Sequence, residues 1–212
     1  MRLRDENSEH RRCVMGSNLS VEFFAKQFDR QIAEQEYRLN PFEQWTLPHL
    51  AGRVLELGCG LGNLSIEAAR AGHEVTAIDA CPDAVKDLGR RAQAEGLPIR
   101  VVEADLAEWR ATDTYDTVVA IGLLMFFPCE DARAVLQEIK HAVAPGGVAA
   151  VNVLIEGTTF MEMFDPEGYC LFPPRELEAT FADWKILLAS IDDFPAPGEK
   201  IKRFATVIAQ RP

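Results

Sequence analysis

A doubly wound α/β sheet is the fold class this sequence predicts, and three observations predict it. From Arg53 onward, short apolar runs alternate with segments of helical period. The first of those runs ends in a glycine-rich loop, Gly58-Cys59-Gly60-Leu61-Gly62. Near the end of the chain, the turn-forming stretch Pro195-Ala196-Pro197-Gly198 separates two strand-like segments, as in an antiparallel hairpin. Repeated strand–helix units imply right-handed crossovers, with helices on both faces of the sheet.

The elements follow in order. Residues 1–19 are mostly polar and aperiodic and read as a flexible tail, with Met15 an alternative start. Val21, Phe23, Phe24, Phe28, Ile32 and Tyr37 recur mostly at helical spacing. A helix is therefore expected over 20–39, with Ser20 as its N-cap and Pro41 limiting its extent. A short helix over 41–50 completes an N-terminal helical extension. Strands are then expected at 54–57, 74–78, 99–102, 117–122 and 148–153, the fourth with the near-continuous apolar run of a buried parallel strand. Helices are expected at 61–71, 82–95 and 130–143, with Pro82 in the first turn of the second. Residues 156–172 are rich in Phe and Met; a short helix at 175–181 and strands at 185–190 and 201–209 close the chain.

The chain has 212 residues, 48% of them hydrophobic, which supports one sizeable core. A single domain is expected over 20–212: N-terminal helices at 20–50, a core at 53–153, and a final region with the hairpin at 154–212. No apolar run reaches the roughly 18 residues a bilayer crossing needs, and the N-terminus lacks the apolar stretch of a secretory signal, so a cytoplasmic location is expected. The 33 acidic residues against 22 basic give a formal charge of −11. Nucleic acid is an unfavourable partner for such a chain, because phosphate binding needs clustered Lys and Arg. Cys13, Cys59, Cys81, Cys129 and Cys170 are odd in number and widely spaced, and read as free thiols with no metal site. Cys129 and Cys170 meeting near a pocket to bind a metalloid is a minor alternative.

The chemistry concentrates where the first strand turns into a helix, at Glu56-Leu57-Gly58-Cys59-Gly60-Leu61-Gly62. Glycines there permit positive φ and let a ligand approach the backbone. In a doubly wound sheet this is the crevice at the carboxyl ends of the strands. A dinucleotide fingerprint would need G-x-G-x-x-G; here the third glycine arrives one residue early and Asn63 stands in its place, which argues against a nicotinamide oxidoreductase. Asp79 ends the second strand, where a carboxylate can accept from two ribose hydroxyls. Asp105 follows the third strand, where it can accept from an exocyclic amine. Glu56 ends the first strand and can orient a cationic amino group.

Glu56 to Gly62, then Asp79, then Asp105, resemble the successive cofactor motifs of class I S-adenosylmethionine-dependent methyltransferases. The resemblance covers roughly residues 42–212. It implies a seven-stranded, mostly parallel sheet with an antiparallel last strand, and S-adenosylmethionine as cofactor, with S-adenosylhomocysteine as product. Gly58, Cys59 and Gly60 would line the methionine moiety, Asp79 and Ala80 the ribose, and Asp105 and Leu106 the adenine. Ala120 or Ile121 would offer a carbonyl to the amino group. A catalytically inactive cofactor-binding module is the alternative from another class.

Within that class, Gly122-Leu123-Leu124-Met125-Phe126-Phe127 and Ile201-Lys202-Arg203-Phe204-Ala205-Thr206 are similar to the tellurite-resistance (TehB-type) methyltransferases. This implies a small-molecule acceptor that is a soft or anionic nucleophile, such as a thiol, selenium or tellurium species. Met125 and Phe126 would wall the acceptor site, and Arg203 would stand at the family's active-site arginine. The chain departs from that family before the last strand, where a His-Arg pair is replaced by Asp192-Asp193-Phe194-Pro195. No residue is assigned as catalytic base: His10, His49, His73 and His141 all fall at surface or core positions in this reading. A monomer or homodimer is expected.

Overall fold

The computed structural model describes residues 19–212 apart from 108 and 167. The expected tail, with Met15, Cys13 and His10, lies outside the described residues except for Leu19. Five strands, β1 (Arg53–Leu57), β2 (Glu74–Asp79), β3 (Ile99–Glu103), β4 (Tyr115–Ile121) and β5 (Val143–Leu154), run parallel. The hairpin β6 (Lys185–Ala196) and β7 (Lys200–Gln210) completes one seven-stranded sheet in the order β3-β2-β1-β4-β5-β7-β6. β7 pairs antiparallel with both β5 and β6, as expected of the last strand.

Period-two alternation divides the strands between two cores. Leu55, Leu57, Val118, Ala120, Ala149, Val151, Ala205 and Val207 pack on one face against Val135, Leu136 and Ile139 of α5 (Cys129–Ala142). Phe172, Phe181 and Trp184, around α6 (Glu176–Thr180), extend that layer. On the opposite face Val54, Val119, Ala150 and Ile208 meet Leu64 and Ile66 of α3 (Asn63–Arg70) and Leu88 and Ala92 of α4 (Pro82–Glu95). Two N-terminal helices, α1 (Leu19–Glu34) and α2 (Pro41–Thr46), precede the sheet. Strand order reverses between β1 and β4, and a crevice opens at that switch point.

Several boundaries differ from the sequence-based expectation, each for a local reason. α1 stops at Glu34 because Gln35 takes a left-handed conformation, φ 54°. α2 ends at Thr46 and hands over to a single 3-10 turn, Leu47–His49. α3 starts at Asn63, not at 61, because Gly62 sits at φ 63° and cannot be helical. β5 begins at Val143, ahead of the Pro-Gly-Gly turn, with an irregularity between Tyr115 and Thr117 in its pairing with β4. β6 runs through Pro195, which an edge strand tolerates because one side of its backbone needs no partner.

The reading of all cysteines as free thiols is corrected for one pair. Cys129 and Cys170 form a disulfide, while Cys59 and Cys81 are free and buried. The two partners stand 41 residues apart and meet because the 156–172 segment folds back beside the start of α5. Sequence spacing carries no trace of that approach.

Gly62 ties the loop to the core. A Cβ at Gly62 would stand 2.4 Å from Leu88 Cδ2, in a backbone conformation that L side chains rarely adopt. Gly62→Ala should cost roughly 2–3 kcal/mol, from left-handed strain and overpacking together. Urea unfolding should show a lower midpoint with an unchanged slope.

Candidate active site

A cleft of about 450 Å³ lies over the carboxyl ends of the central strands, between the glycine loop and α1. The loop is held from several sides. Gly58 and Cys59 donate their backbone N–H groups to the Ile78 carbonyl, at 2.8 and 3.1 Å. The Asp79 carboxylate accepts from the Gly60 N–H at 2.7 Å and, through its other oxygen, from the Cys81 N–H at 2.8 Å. Arg91 donates to the Leu61 carbonyl, pairs with buried Asp87 and lies 4.1 Å from the centroid of the Tyr37 ring.

Acidic groups crowd one end of the cleft. Glu56 is buried at 4% exposure and accepts from the Ser65 hydroxyl. Burial, reinforced by the nearby Glu43 carboxylate, pushes its pKa up to about 8. Glu43 belongs to a capping box on α2: its side chain accepts from the Asn40 N–H at 2.7 Å, and Asn40 Oδ1 accepts from the Glu43 N–H at 2.9 Å. Burial raises Glu43 to about 7 and shifts Asp79 upward as well. Asp105, in the loop after β3, accepts from the Ala107 N–H at 3.0 Å. Among the described residues none of these four carboxylates forms an ion pair.

α1 roofs the cleft. Phe28 lies over Gly60 so closely that a Cβ there would stand 2.9 Å from its Cζ, and Phe24 packs edge-on against Phe126 at 5.1 Å. Met125, Phe126, Leu154, Met163 and Phe204 wall the far end.

Of the residues singled out from sequence, Glu56, Gly58, Cys59, Gly60, Asp79, Ala80, Asp105, Leu106, Ile121, Met125 and Phe126 line this cleft. Ala120 does not: alternation turns it into the opposite core against α5. Arg203 does not either. Its guanidinium makes a two-pronged pair with Asp193, at 2.7 and 2.6 Å, on the other side of β7. Lys202 and Phe204, its neighbours in sequence, face the cleft instead. No histidine lines it among the described residues, and His73 sits 3.1 Å from the Gly52 carbonyl, beyond the opposite end of β1.

Sequence reasoning missed Arg38, Glu43, Asn152 and Lys202 as cleft residues. Two of them left a signal. Asn40-Pro41-Phe42-Glu43 has capping-box spacing, which points to Glu43 as a fixed side chain. The alternation of β7 places Lys202 on the same face as Phe204 and Thr206.

The strand order and the glycine turn at the switch point give the chain the Rossmann-like fold of class I methyltransferases. Over residues 54–147 the chain matches the family described as "Methyltransferase domain". It is 25% identical over 166 residues to "Probable S-adenosyl-L-methionine-dependent methyltransferase TehB" of Haemophilus influenzae, an alignment covering 75% of this chain and 57% of that protein. The chain thus spans little more than half the length of the first curated relatives it matches. The crystal structure of TehB from H. influenzae superposes with a TM-score of 0.73 at 20% identity, covering 91% of this chain and 67% of that one. A Burkholderia thailandensis 1,6-didemethyltoxoflavin-N1-methyltransferase with bound S-adenosylhomocysteine superposes at 0.66, also at 20% identity, covering 91% and 87%.

The raised Glu56 pKa has a thermodynamic consequence. The unfolded carboxyl releases its proton near 4.5, whereas the folded one keeps it to about 8. Its contribution to stability is therefore full below pH 4.5 and declines as pH rises toward 8. Glu56→Gln should flatten that decline by about 1.4 kcal/mol per pH unit at most, measured by urea melts between pH 6 and 8.5.

Proposed function

We propose that this chain binds S-adenosylmethionine in the cleft and methylates a small-molecule acceptor, a soft or anionic nucleophile such as a thiol or a selenium or tellurium species. The observation that carries the reading is the set of unpaired carboxylates Glu56, Asp79 and Asp105 at three adjacent strand tips, beside a glycine turn. A ligand with a cationic tail, a ribose and an amino-bearing base satisfies such a set. A dinucleotide would bring two phosphates against it and be repelled.

The residues divide the work by chemistry. Asp79 has one hydrogen bond on each oxygen, which leaves acceptor capacity on both for the ribose hydroxyls. Asp105 and the Leu106 N–H take the base. Glu56, with Glu43 beside it, takes the amino group, and Arg38 at the glycine-loop end takes the carboxylate. When bound, the cofactor supplies a methyl group already activated by its sulfonium. The protein's part is to align the acceptor and exclude water, which the apolar wall of Met125, Phe126 and Met163 and the α1 roof provide. A thiol needs little help from a base near neutral pH, in keeping with a cleft lined by no histidine among the described residues.

Calorimetry should detect S-adenosylhomocysteine binding and no nicotinamide dinucleotide binding; the reverse result sinks the proposal. Transfer of labelled methyl to thiols, selenite, tellurite, phenols and amines then identifies the nucleophile. Asp79→Ala should weaken S-adenosylhomocysteine at least tenfold by removing a half-buried two-oxygen acceptor. Binding at pH 7 should also release about one proton, because an ammonium beside Glu56 favours its ionised form. The apparent enthalpy should accordingly vary with buffer ionisation heat, and Glu56→Gln should reduce that variation, leaving the part that Glu43 contributes.

A further inference from the structure

We infer that Lys202 selects the methyl acceptor by pairing with an anionic group set apart from the reacting atom by an apolar spacer, so that the acceptor is an organic acid. This rests on the cofactor reading above and names the substrate class of the same cleft.

Two cations line the cleft among the described residues, Arg38 and Lys202. Arg38 is exposed beside the glycine loop, where its carbonyl accepts from Asn63 Nδ2 at 3.2 Å. Lys202 stands at the other end, on β7. Its basic neighbours are neutralised locally: Lys200 pairs with Glu162 and Arg203 with Asp193. No carboxylate lies within ion-pair distance of Lys202 among the described residues, although the chain carries an excess of acids. Asp192 shares its sheet face, opposite Phe204, without pairing to it.

The surroundings of Lys202 are apolar. Its Nζ lies 4.8 Å from the centroid of buried Phe160, in a cluster with Met125, Leu154 and Met163. The side chain is half-buried, and desolvation lowers the pKa of its ammonium. The Phe160 ring face offers this half-buried cation a weak cation–π partner but no counter-charge, and a bound anion supplies that charge.

Register separates this cation from the reacting end. Asn152, beside Ile121 of β4, pairs with Thr206, and Leu154 pairs with Phe204. Lys202 is four residues beyond Thr206 along β7, about 13 Å at the rise of an extended strand. Leu154, Phe204 and Met163 occupy the interval. A bare oxyanion cannot reach both ends, whereas an aromatic or aliphatic body with a terminal carboxylate can.

The test compares 4-mercaptobenzoate with its neutral isostere 4-mercaptobenzamide, binding to the full chain saturated with S-adenosylhomocysteine. Wild type should favour the carboxylate at least tenfold. Lys202→Gln should remove that preference while changing amide affinity less than twofold and leaving S-adenosylhomocysteine affinity unaltered. Lys202→Arg should retain most of the preference, and Arg203→Gln all of it. Equal binding of the two probes by wild type, binding of neither, a loss shared by both in Lys202→Gln, or a preference that disappears with Arg203 would each overturn the inference. Failure of S-adenosylhomocysteine to bind would instead overturn the cofactor reading on which it rests.

Discussion

One carboxylate holds the working end of this molecule together. Asp79 accepts from Gly60 on one oxygen and from Cys81 on the other, joining the turn after β1 to the turn after β2. Two strand tips that would otherwise diverge are fixed at hydrogen-bond distance. Ionised groups accept stronger bonds than neutral ones, so this tie is strongest while Asp79 is charged. Burial raises its pKa and the backbone N–H donors oppose that shift. The crevice walls depend on the result: α3 leaves from Gly62, α4 from Cys81, and the roof helix α1 rests on Leu61, Cys81 and Ala84 between them.

Charge is unevenly distributed along the cleft. Acids stand at the tips of β1 and β2 and just after β3. Of the two cations lining the cleft among the described residues, Lys202 stands on β7, across an apolar wall, and Arg38 beside the glycine loop. The low polarity of that wall sharpens both ends, because an unpaired charge costs most where water is scarce. The raised pKa of Glu56 and the lowered one of Lys202 are opposite signs of one cause.

The disulfide between Cys129 and Cys170 belongs to the same design. It fastens the start of α5 to the segment that carries Phe160, Met163 and Phe164, and the Cys170 N–H donates to the Met125 carbonyl at 3.0 Å. An irregular stretch thereby gains a fixed position over the far end of the cleft. A covalent loop closure of this length restricts the unfolded chain and so favours the folded wall.

Local pattern determined much of this protein in advance. Alternating strand and helix segments, the glycine turn and the Pro-Gly stretch before β7 are short-range signals, and they led to the sheet and to Glu56, Gly60, Asp79 and Asp105 at its edge. Element ends shifted where a single residue took positive φ, as at Gln35 and Gly62, because backbone handedness is a property of one residue and not of a periodic run. Tertiary structure alone decided the rest. Which of Lys202 and Arg203 enters the cleft depends on the face β7 turns inward, a choice set by pairing with β5 and invisible in the two adjacent basic letters. The meeting of Cys129 with Cys170, and of Glu43 with Glu56, joins segments that approach only when the chain packs. Their contacts are long-range, and no local preference encodes them.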